Sequence, residues 1–412
     1  MTGPLWETLP KGWREGQVKN AATVTLGKML QTRDSGSDVI APYMRAANVQ
    51  PNGALALGSV NEMWFGESEL QQLDLRAGDA VVVEGGQGGF GRAAYLPEDL
   101  PGWGFQNSIN RLRPHAGFDG RFIAYYLIAL RASGFIRAYA NVVSMPHLTA
   151  DKLAKTPILL PPLEAQCAIA EYLDRETIRI DTLIEEQERL VDLLRERRTA
   201  VLSAVFGAGP STETTKVGRL LAARPSYGVL VPRYVDEADG VPFVRVGDLM
   251  NLMPDRPMLA IATEQSDEFS RTQIVGGEVL LGVVGKMGQA TLAPQWLAGA
   301  NVARAVAVLR CKEPAVAPLL CAWLGSRSFL LQASLATSGD SIQPTLGMKD
   351  LARFDISLPT DPGATKRLAD VLAKIDTLIT ETQRFIELSR ERRSALITAA
   401  VTGQIDVRGE VA

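Results

Sequence analysis

The sequence is poor in cysteine and histidine, and it has no long apolar run. Its 412 residues include three scattered cysteines and two histidines, His115 and His147. So few cysteines exclude a disulfide framework, and the absence of any Cys-x-x-Cys or mixed His/Cys cluster argues against a zinc site. No apolar run approaches the ~18–20 residues that span a bilayer, and the first residues lack the basic and apolar regions of a secretory signal. We therefore expect a cytoplasmic protein without a membrane partner or a metal.

Motifs for catalysis are absent as well. The sequence has no Walker-type phosphate loop, no Asn/Asp-Pro-Pro-aromatic turn such as adenine methylation needs, and no nuclease-like acidic pair followed by Glu-x-Lys. Residues 86–91 fit G-x-G-x-x-G, but Pro97 cuts short the helix that a dinucleotide site requires, so a glycine hairpin loop is the favoured interpretation. The sequence thus predicts a protein that is not an enzyme and that has no cofactor.

Charge is nearly balanced, with a formal net charge of −3 at pH 7. Nucleic-acid-binding domains are often strongly basic, so this balance argues weakly against DNA as a partner. The acidic excess is concentrated in residues 161–207, however, and the rest of the chain carries nearly equal numbers of acidic and basic residues. A basic surface on the globular parts is compatible with this composition but is not proved by it.

A long amphipathic helix is the most distinctive feature present. After Pro162 the chain continues for more than thirty residues without proline or glycine. Apolar residues recur three and four positions apart, which predicts one apolar stripe along a helix and a coiled-coil seam. The stripe consists of Leu173, Ile180, Ile184, Val191, Leu194, Val201 and Val205. Polar residues also fall within this stripe or its later copy, where they either fix the helix register or face water: Gln187, Arg198, Thr382, Ser389 and Arg393.

The helix and the part of the chain before it both occur twice. Residues 180–184 return as 375–379, and residues 195–198 return as 390–393, at a common offset of 195 (375 − 180 and 390 − 195). Residues 243–249 match residues 43–49 at an offset of 200 (243 − 43). Two copies of one strand-rich unit, each followed by a long helix, predict an α+β protein. The two helices are expected to pair as an antiparallel coiled coil, with the two domains related by a pseudo-twofold axis.

The repeat also predicts the domain boundaries. The first globular domain would cover residues 1–159 and the first long helix residues 160–207. The second domain would cover residues 208–358, the second long helix residues 359–403, and a tail residues 404–412.

Polar side chains near strand ends and loops are the candidates for contact with DNA. Arginine and lysine read guanine, and asparagine and glutamine read adenine, through paired hydrogen bonds at base edges. Residues 106–113 concentrate such side chains, although an ordinary solvated loop is the plainer interpretation. The candidates are Tyr43, Arg45, Asn48, Arg92, Gln106, Asn107, Asn110, Arg111, Arg113, Arg245, Asp248, Lys286, Gln289, Asn301, Arg304, Ser341 and Gln343.

The motifs at the helix start resemble those of a known family. Residues 160–166 read LPPLEAQ and are followed by Ile-Ala at 169–170 and Leu-Asp at 173–174. Together with LPKGW at 9–13 and VTGQI at 401–405, this pattern resembles the specificity subunit of Type I restriction-modification systems. The sequence departs from the family at Ala165, where glutamate is usual, and the second helix start at residues 358–362 is eroded. These departures affect a position that would cap the helix or contact a partner subunit.

The resemblance implies a function. Each domain would read one half of a bipartite site on double-stranded DNA, and the helical pair would set the gap between the halves. The helices would also dock two modification subunits, and restriction subunits would complete an ATP-dependent nuclease. Adenine methylation and DNA cleavage would belong to those partners. An alternative of a different class is a two-headed coiled-coil scaffold that binds proteins, and a positive surface on the domains would favour DNA instead.

Overall fold

The computed structural model describes residues 4–86, 88–139, 147–206, 211–285, 287–337 and 344–407. The chain forms two compact units. Unit 1 comprises Met1–Glu186 and Phe385–Ala412, and unit 2 comprises Gln187–Arg384. Both unit boundaries fall inside the two long helices, so each unit contains one globular part together with a segment of each helix.

The described part of unit 1 has nine strands and five helices before the first long helix. The strands are β1 (Arg14–Gln17), β2 (Ala22–Leu26), β3 (Asp38–Met44), β4 (Asn61–Gly66), β5 (Ala80–Val83), β6 (Ala93–Tyr95), β7 (Gly104–Phe105), β8 (Ile109–Pro114) and β9 (Pro157–Leu160). The helices are α1 (Val18–Ala21), α2 (Glu67–Gln72), α3 (Gly120–Ala132), α4 (Phe135–Tyr139) and α5 (Ala150–Ala154), with a 3-10 turn at Ala46–Asn48. The first long helix, α6 (Leu163–Phe206), follows.

Besides a two-stranded antiparallel sheet of β1 and β9, two larger sheets form the described globular part of unit 1. One has the strand order β2-β8-β5-β6 and is antiparallel, and the other has the order β4-β3-β7 with β7 parallel to β3. Strand β5 lies at the centre of this arrangement. Its residues Ala80 and Val82 pack with α3 and the long helices, while Val81 and Val83 pack toward the second sheet. A strand that is buried on both faces has no polar side, which explains its unbroken apolar sequence.

Unit 2 repeats this order. Its strands are β10 (Thr212–Lys216), β11 (Ser226–Tyr227), β12 (Tyr234–Val235), β13 (Gly240–Val244), β14 (Ala260–Ala262), β15 (Val279–Gly282), β16 (Ala290–Leu292), β17 (Asn301–Val302), β18 (Val306–Leu309) and β19 (Asp355–Pro359). Its helices are α7 (Val217–Leu220), α8 (Thr263–Glu268), α9 (Ala317–Leu324), α10 (Arg327–Thr337), α11 (Met348–Arg353) and the second long helix α12 (Pro362–Val401), with 3-10 turns at Glu237–Asp239, Val246–Asp248, Ser270–Thr272, Gln295–Leu297 and Pro314–Val316.

The sheets of unit 2 have the same topology as those of unit 1. The order β11-β18-β15-β16 corresponds to β2-β8-β5-β6, and β14-β13-β17 corresponds to β4-β3-β7 with β12 added at the edge. The parallel pairs agree in register, because Tyr43 lies opposite Gly104 and Phe243 lies opposite Asn301. The prediction of two similar α/β domains in an α+β chain is therefore confirmed.

Within each unit the two helix segments run antiparallel and are joined by an ion pair. In unit 1, Arg393 Nε lies 2.8 Å from Asp181 Oδ1. In unit 2, Arg198 Nε lies 2.7 Å from Asp376 Oδ1. The two pairs are equivalent at the offset of 195 found in the sequence (376 − 181 and 393 − 198). The antiparallel pairing predicted from the apolar stripe is thus confirmed, and both arginines connect the helices.

The remaining stripe positions differ in burial. Five of the seven apolar positions are buried, and Leu194 and Val201 are only half-buried, because Leu202 takes the buried position in that turn. Of the polar positions, Thr382 and Ser389 are buried and Gln187 is half-buried. A straight helix drifts relative to a heptad repeat, which accounts for this shift of the buried face.

Helix α6 is attached to the globular part of unit 1 through Asp174. Its Oδ1 accepts hydrogen bonds from the hydroxyl groups of Tyr95 (2.9 Å) and Tyr125 (2.7 Å). Its Oδ2 lies 3.3 Å from Nη1 of Arg121. A carboxylate that accepts three such hydrogen bonds is a charge-assisted connection between the helix and the sheet domain.

None of the described helices is by itself long and apolar enough to cross a membrane. Two consecutive helical segments, 314–324 and 327–337, are long and apolar enough only when they are taken together, and a sharp bend separates them. Their large side chains Trp323 and Phe329 are fully buried in the core of unit 2.

Candidate nucleic-acid interface

Three chain segments meet at one end of the sheets in unit 1. The backbone N–H of Gln106 donates to Met44 O (2.9 Å), and that of Glu84 donates to Ser108 O (2.9 Å). The N–H of Ala46 donates to Ser108 Oγ (3.2 Å). These bonds join the end of β3, the turn after β7 and the glycine loop after β5. We call the surface formed by the described residues within 44–48, 84–92 and 105–108 the first rim.

The first rim carries cationic and amide side chains that are partly exposed. Arg45, Arg92, Gln106 and Asn107 all lie on it. The Nε atoms of Arg45 and Arg92 are buried and have no hydrogen-bond partner within the described parts of the chain. Among the described residues, the acceptor for the Arg92 side chain is Val49 O, 3.3 Å from Nη1. Guanidinium groups without a carboxylate partner are suited to binding an anion such as a DNA phosphate.

A further arginine on this rim, Arg131 of α3, was not predicted from the sequence. Its Nε donates to Phe90 O (2.9 Å), and its Nη2 lies 3.5 Å from Gly88 O, so the side chain holds the glycine loop. Burial, together with the nearby charge of Arg92, lowers the pKa of the Arg131 guanidinium. No carboxylate pairs with either arginine among the residues described. Nothing in the helical sequence around Arg131 signals this position, because only the packing of α3 against the loop creates it.

Two of the predicted candidates in unit 1 support the rim from inside. Asn48 is buried, its Oδ1 accepts from the backbone N–H of Arg45 (2.9 Å), and its Nδ2 donates to Ala56 O (2.7 Å). Tyr43 is also buried, within the core of the second sheet. Asn48 therefore positions Arg45, and the side chains of Asn48 and Tyr43 are both buried in this structure.

Three other candidates are committed to the interior of unit 1. Asn110 is fully buried and donates from Nδ2 to Leu148 O (3.0 Å). Arg111 and Arg113 both pair with Asp74, each at 3.0 Å from Oδ1, and the side chain of Arg111 is 6% exposed.

Arg113 also forms an ion pair with Asp79, with 2.6 Å between Nη2 and Oδ2. For the Asp74 carboxyl, burial by itself would raise the pKa. The hydrogen bonds from Arg76 and Arg113 outweigh that effect and lower the pKa of Asp74. The internal bonds of Asn110, Arg111 and Arg113 give these side chains a structural role, and their contact with DNA stays a prediction.

Unit 2 forms an equivalent surface. The N–H of Ala303 donates to Val244 O (2.9 Å), and that of Val283 donates to Ala305 O (2.9 Å). We call the described residues within 244–248, 282–289 and 302–305 the second rim. Arg245 and Arg304 are exposed on it and Gln289 is half-buried.

The two exposed arginines of the second rim differ in their partners. Arg245 pairs with Asp248, with 3.2 Å between Nε and Oδ2, and the hydrogen bond to that carboxylate raises the pKa of Arg245. The Arg304 side chain has no hydrogen bond or ion pair with any residue that the structure describes. Arg304 is therefore the freer of the two for a ligand.

Asn301 is a structural residue rather than a surface one. It is fully buried, its Nδ2 donates to Ser266 O (3.2 Å), and its Oδ1 accepts from Thr272 Oγ1 (2.7 Å). Its counterpart in unit 1 is Gly104, where an added Cβ would lie 2.4 Å from Cζ of Phe65. The same place is thus filled by an aromatic ring in one unit and by an amide network in the other. Contact of Asn301 with DNA stays a prediction, and its side chain is not exposed in this structure.

Three candidates lie outside the described residues: Lys286, Ser341 and Gln343. Elsewhere in the described ranges, no group of three or more His, Cys, Asp or Glu side chains is arranged to hold a metal ion.

Comparison with known proteins identifies families and structures to which this chain is similar. A sequence model of the Type I restriction modification DNA specificity domain matches residues 10–190. The chain is 23% identical over 302 residues to the Type I restriction enzyme EcoBI specificity subunit of Escherichia coli. That match covers 66% of this chain and 63% of the Escherichia coli protein, which is less than two thirds of its length.

Solved structures match nearly the whole chain. One chain, from a structure concerned with complex assembly and conformational transition of the type I R-M system, is similar with a TM-score of 0.64 and 19% identity, and the match covers 97% of this chain and 100% of that one. The Type I restriction-modification S subunit from M. genitalium has a TM-score of 0.56 and 13% identity, with 97% and 99% covered. The HsdS subunit from Thermoanaerobacter tengcongensis has a TM-score of 0.50 and 20% identity, with 97% and 98% covered. At these identities the likeness shows the fold.

Proposed function

We propose that this chain, whose residues 10–190 match the Type I restriction modification DNA specificity domain, is a cytoplasmic, non-catalytic specificity subunit that reads a bipartite site on double-stranded DNA. Each globular part reads one half of the site through its rim. The observation that carries the proposal is that one backbone frame is built twice with different side chains at its exposed positions. The backbone N–H of Asn107 donates to Lys28 O (2.8 Å), and the N–H of Arg304 donates to Val229 O (2.9 Å), so these residues occupy equivalent positions.

The chemistry of these two positions supports two different half-sites. An amide such as Asn107 can pair with adenine, whereas a guanidinium such as Arg304 can pair with guanine at N7 and O6. Both discriminate in the major groove, where each base pair has a distinct pattern of donors and acceptors. Different side chains on a common frame are what a protein needs to read two unlike sequences.

Phosphate contacts position a protein on DNA without reading its sequence. Arg45, Arg92 and Arg131 would supply such contacts in unit 1. Near-neutral overall charge is compatible with this role if partner subunits share the phosphate contacts that dominate affinity. We therefore expect weak DNA binding by the isolated chain and strong binding only by the complex.

The long helices have a second role in the proposal. They set the spacing between the half-sites and dock two modification subunits, with restriction subunits completing the nuclease. Exposed apolar side chains along the helices support docking, among them Ile178 (66%) and Leu388 (54%) in unit 1 and Leu193 (62%) and Leu378 (48%) in unit 2. Apolar side chains that are repeatedly exposed on one helical element are characteristic of a protein interface. Methylation of adenine and DNA cleavage belong to these partners.

Methylation mapping tests the proposed function. The chain is expressed with its modification subunit in a host that lacks DNA methylation, and modified adenines are located by single-molecule sequencing. A bipartite motif with one methylated adenine in each half is the expected result. Replacing the globular part of unit 1 with that of another specificity subunit should then change one half only. A stable complex that methylates no defined sequence would refute the proposal and favour a protein-binding scaffold.

A further inference from the structure

Each unit exposes two consecutive aliphatic side chains beside its rim. In unit 1 these are Met29, which is 75% exposed, and Leu30, which is 51% exposed. In unit 2 they are Leu230 (57%) and Val231 (71%). We call them the first and second aliphatic pairs. Isolated exposed apolar residues are common on protein surfaces, but a repeated exposed pair at one structural position needs a reason.

The two pairs occupy the same position in the fold. Lys28 forms a parallel bridge with Gln106, and Val229 forms one with Ala303. A glycine precedes each bridge, because the backbone there approaches the facing segment too closely for a side chain. A Cβ added at Gly27 would lie 2.3 Å from Gln106 O. In unit 2, a Cβ added at Gly228 would lie 1.9 Å from Val302 O.

The frame that holds the pairs is therefore preserved although the sequences differ. Lys28 is mostly buried in an ion pair with Glu69, and Val229 is buried in an apolar cluster. The bridging residue is held inside by an ion pair in unit 1 and by apolar packing in unit 2. The two residues that follow it are exposed and aliphatic in both units. Packing within the unit does not explain the aliphatic character, because these side chains project into solvent.

The aliphatic pairs adjoin the residues that would read bases. The carbonyl groups of Lys28 and Val229 accept hydrogen bonds from the backbone N–H groups of Asn107 and Arg304. Each aliphatic pair directly follows the residue that accepts this bond. Asparagine and arginine discriminate base pairs in the major groove. The apolar group that bases present in that groove is the C5-methyl of thymine.

We propose that the two aliphatic pairs are thymine-reading contacts, in which Met29 and Leu30, and likewise Leu230 and Val231, pack against thymine C5-methyl groups in the major groove. This inference rests on the proposed function. It adds an apolar component to recognition that hydrogen bonding alone does not supply. An adenine read by Asn107 has its thymine partner in the same base pair, so the methyl group lies in the same major groove.

Deoxyuridine substitution tests the inference. The complex of this chain with its modification subunits is bound to duplexes that carry the mapped site, and each thymine is replaced in turn by deoxyuridine, which lacks the methyl group but pairs identically. The wild-type complex should lose affinity about fourfold at a contacted thymine, as expected for one buried methyl group. The double variant Met29→Ala/Leu30→Ala should bind the thymine duplex more weakly and show no deoxyuridine penalty in one half-site.

Matched variants in unit 2 complete the experiment. Leu230→Ala/Val231→Ala should abolish the penalty in the other half-site. Val275→Ala, which alters a 66% exposed valine before β15 and away from the rim, should leave every penalty unchanged. Co-purification of the modification subunits should be the same for all variants.

The possible outcomes are distinguishable. A wild-type complex without sequence preference would overturn the proposed function and this inference together. Sequence-specific binding in which wild type and double variants respond equally to deoxyuridine, or in which neither half-site contains a sensitive thymine, would overturn only the inference. Loss of the modification subunits from a double variant would also overturn it, because the pair would then be a protein contact.

Discussion

Replacing Asn301 and Arg304 by alanine should give opposite results, although only three positions separate them in the sequence. Asn301→Ala removes a fully buried amide whose Nδ2 donates to Ser266 O and whose Oδ1 accepts from Thr272 Oγ1 and from the N–H of Val302. Each such hydrogen bond contributes about 1 kcal/mol, and a buried group left without a partner costs about 1–3 kcal/mol. We expect unit 2 to lose roughly 2–4 kcal/mol of unfolding free energy, with part of the loss offset by relaxation around the cavity.

The same reasoning predicts almost no loss of stability for Arg304→Ala. The side chain is exposed and has no hydrogen bond within the described residues, so the change should stay within about 0.5 kcal/mol. Its effect should be on recognition. Losing a paired contact to guanine should reduce discrimination at one base pair by about 1–3 kcal/mol.

Thermal unfolding and hydrogen exchange of the full chain measure the first effect. A loss of 2–4 kcal/mol in a unit of about 200 residues lowers the melting temperature by roughly 4–16 °C, and increased exchange should be confined to unit 2. Methylation of a library of site variants by the complex measures the second effect. Our assignment of roles is refuted if Asn301→Ala is as stable as the wild type while changing the preferred sequence, or if Arg304→Ala unfolds unit 2.

Three further predictions concern pH, salt and spacing. Burial and the charge of Asp174 raise the pKa of Tyr95 and Tyr125 above the ordinary value of about 10. The stability that the neutral hydroxyl groups provide is therefore complete below about pH 10 and falls as the pH rises further. In urea titrations of the full chain, the variant Tyr95→Phe/Tyr125→Phe should show a smaller fall in the stability of unit 1. Arg131→Gln should weaken DNA binding by the complex equally on all sequences and reduce the slope of log affinity against log salt concentration by about 1. The control Arg137→Gln, on the neighbouring helix, should change neither quantity. A changed sequence preference of Arg131→Gln would contradict the phosphate role. One heptad inserted in step into both long helices should lengthen the gap between half-sites and leave both half-sites unchanged, and methylation mapping that finds altered half-sites would disprove the spacer role.

The features that the sequence predicted well are local or periodic. The uninterrupted run after Pro162 and the three-and-four spacing of apolar residues required an amphipathic helix, and α6 extends from Leu163 to Phe206. The repeat at an offset of 195 anticipated equivalent helix pairing, because it preserved Asp181 and Arg198 as Asp376 and Arg393. These four residues form two equivalent ion pairs, one in each unit.

The candidate interface was only partly predictable, because the identity of a polar residue does not reveal its partner. Residues 106–113 alternate along a strand and a turn, and the sequence alone did not separate Asn107 on the rim from Asn110 and Arg111 in the interior. The partner of Arg111 is Asp74, which is 37 residues away in the chain. Arg131 was missed for the converse reason, since only tertiary packing brings its helix against the glycine loop.

The sequence by itself determined the two-copy architecture, the long helices and their antiparallel pairing. Hydrophobic periodicity and the absence of proline and glycine act over a few neighbouring residues, so they can be read along the chain. Only the tertiary structure decided which arginines and amides hold the core and which face outward. Burial of a polar side chain requires a partner that satisfies its hydrogen bonds, and in this fold such partners lie on other strands and helices, distant in the sequence.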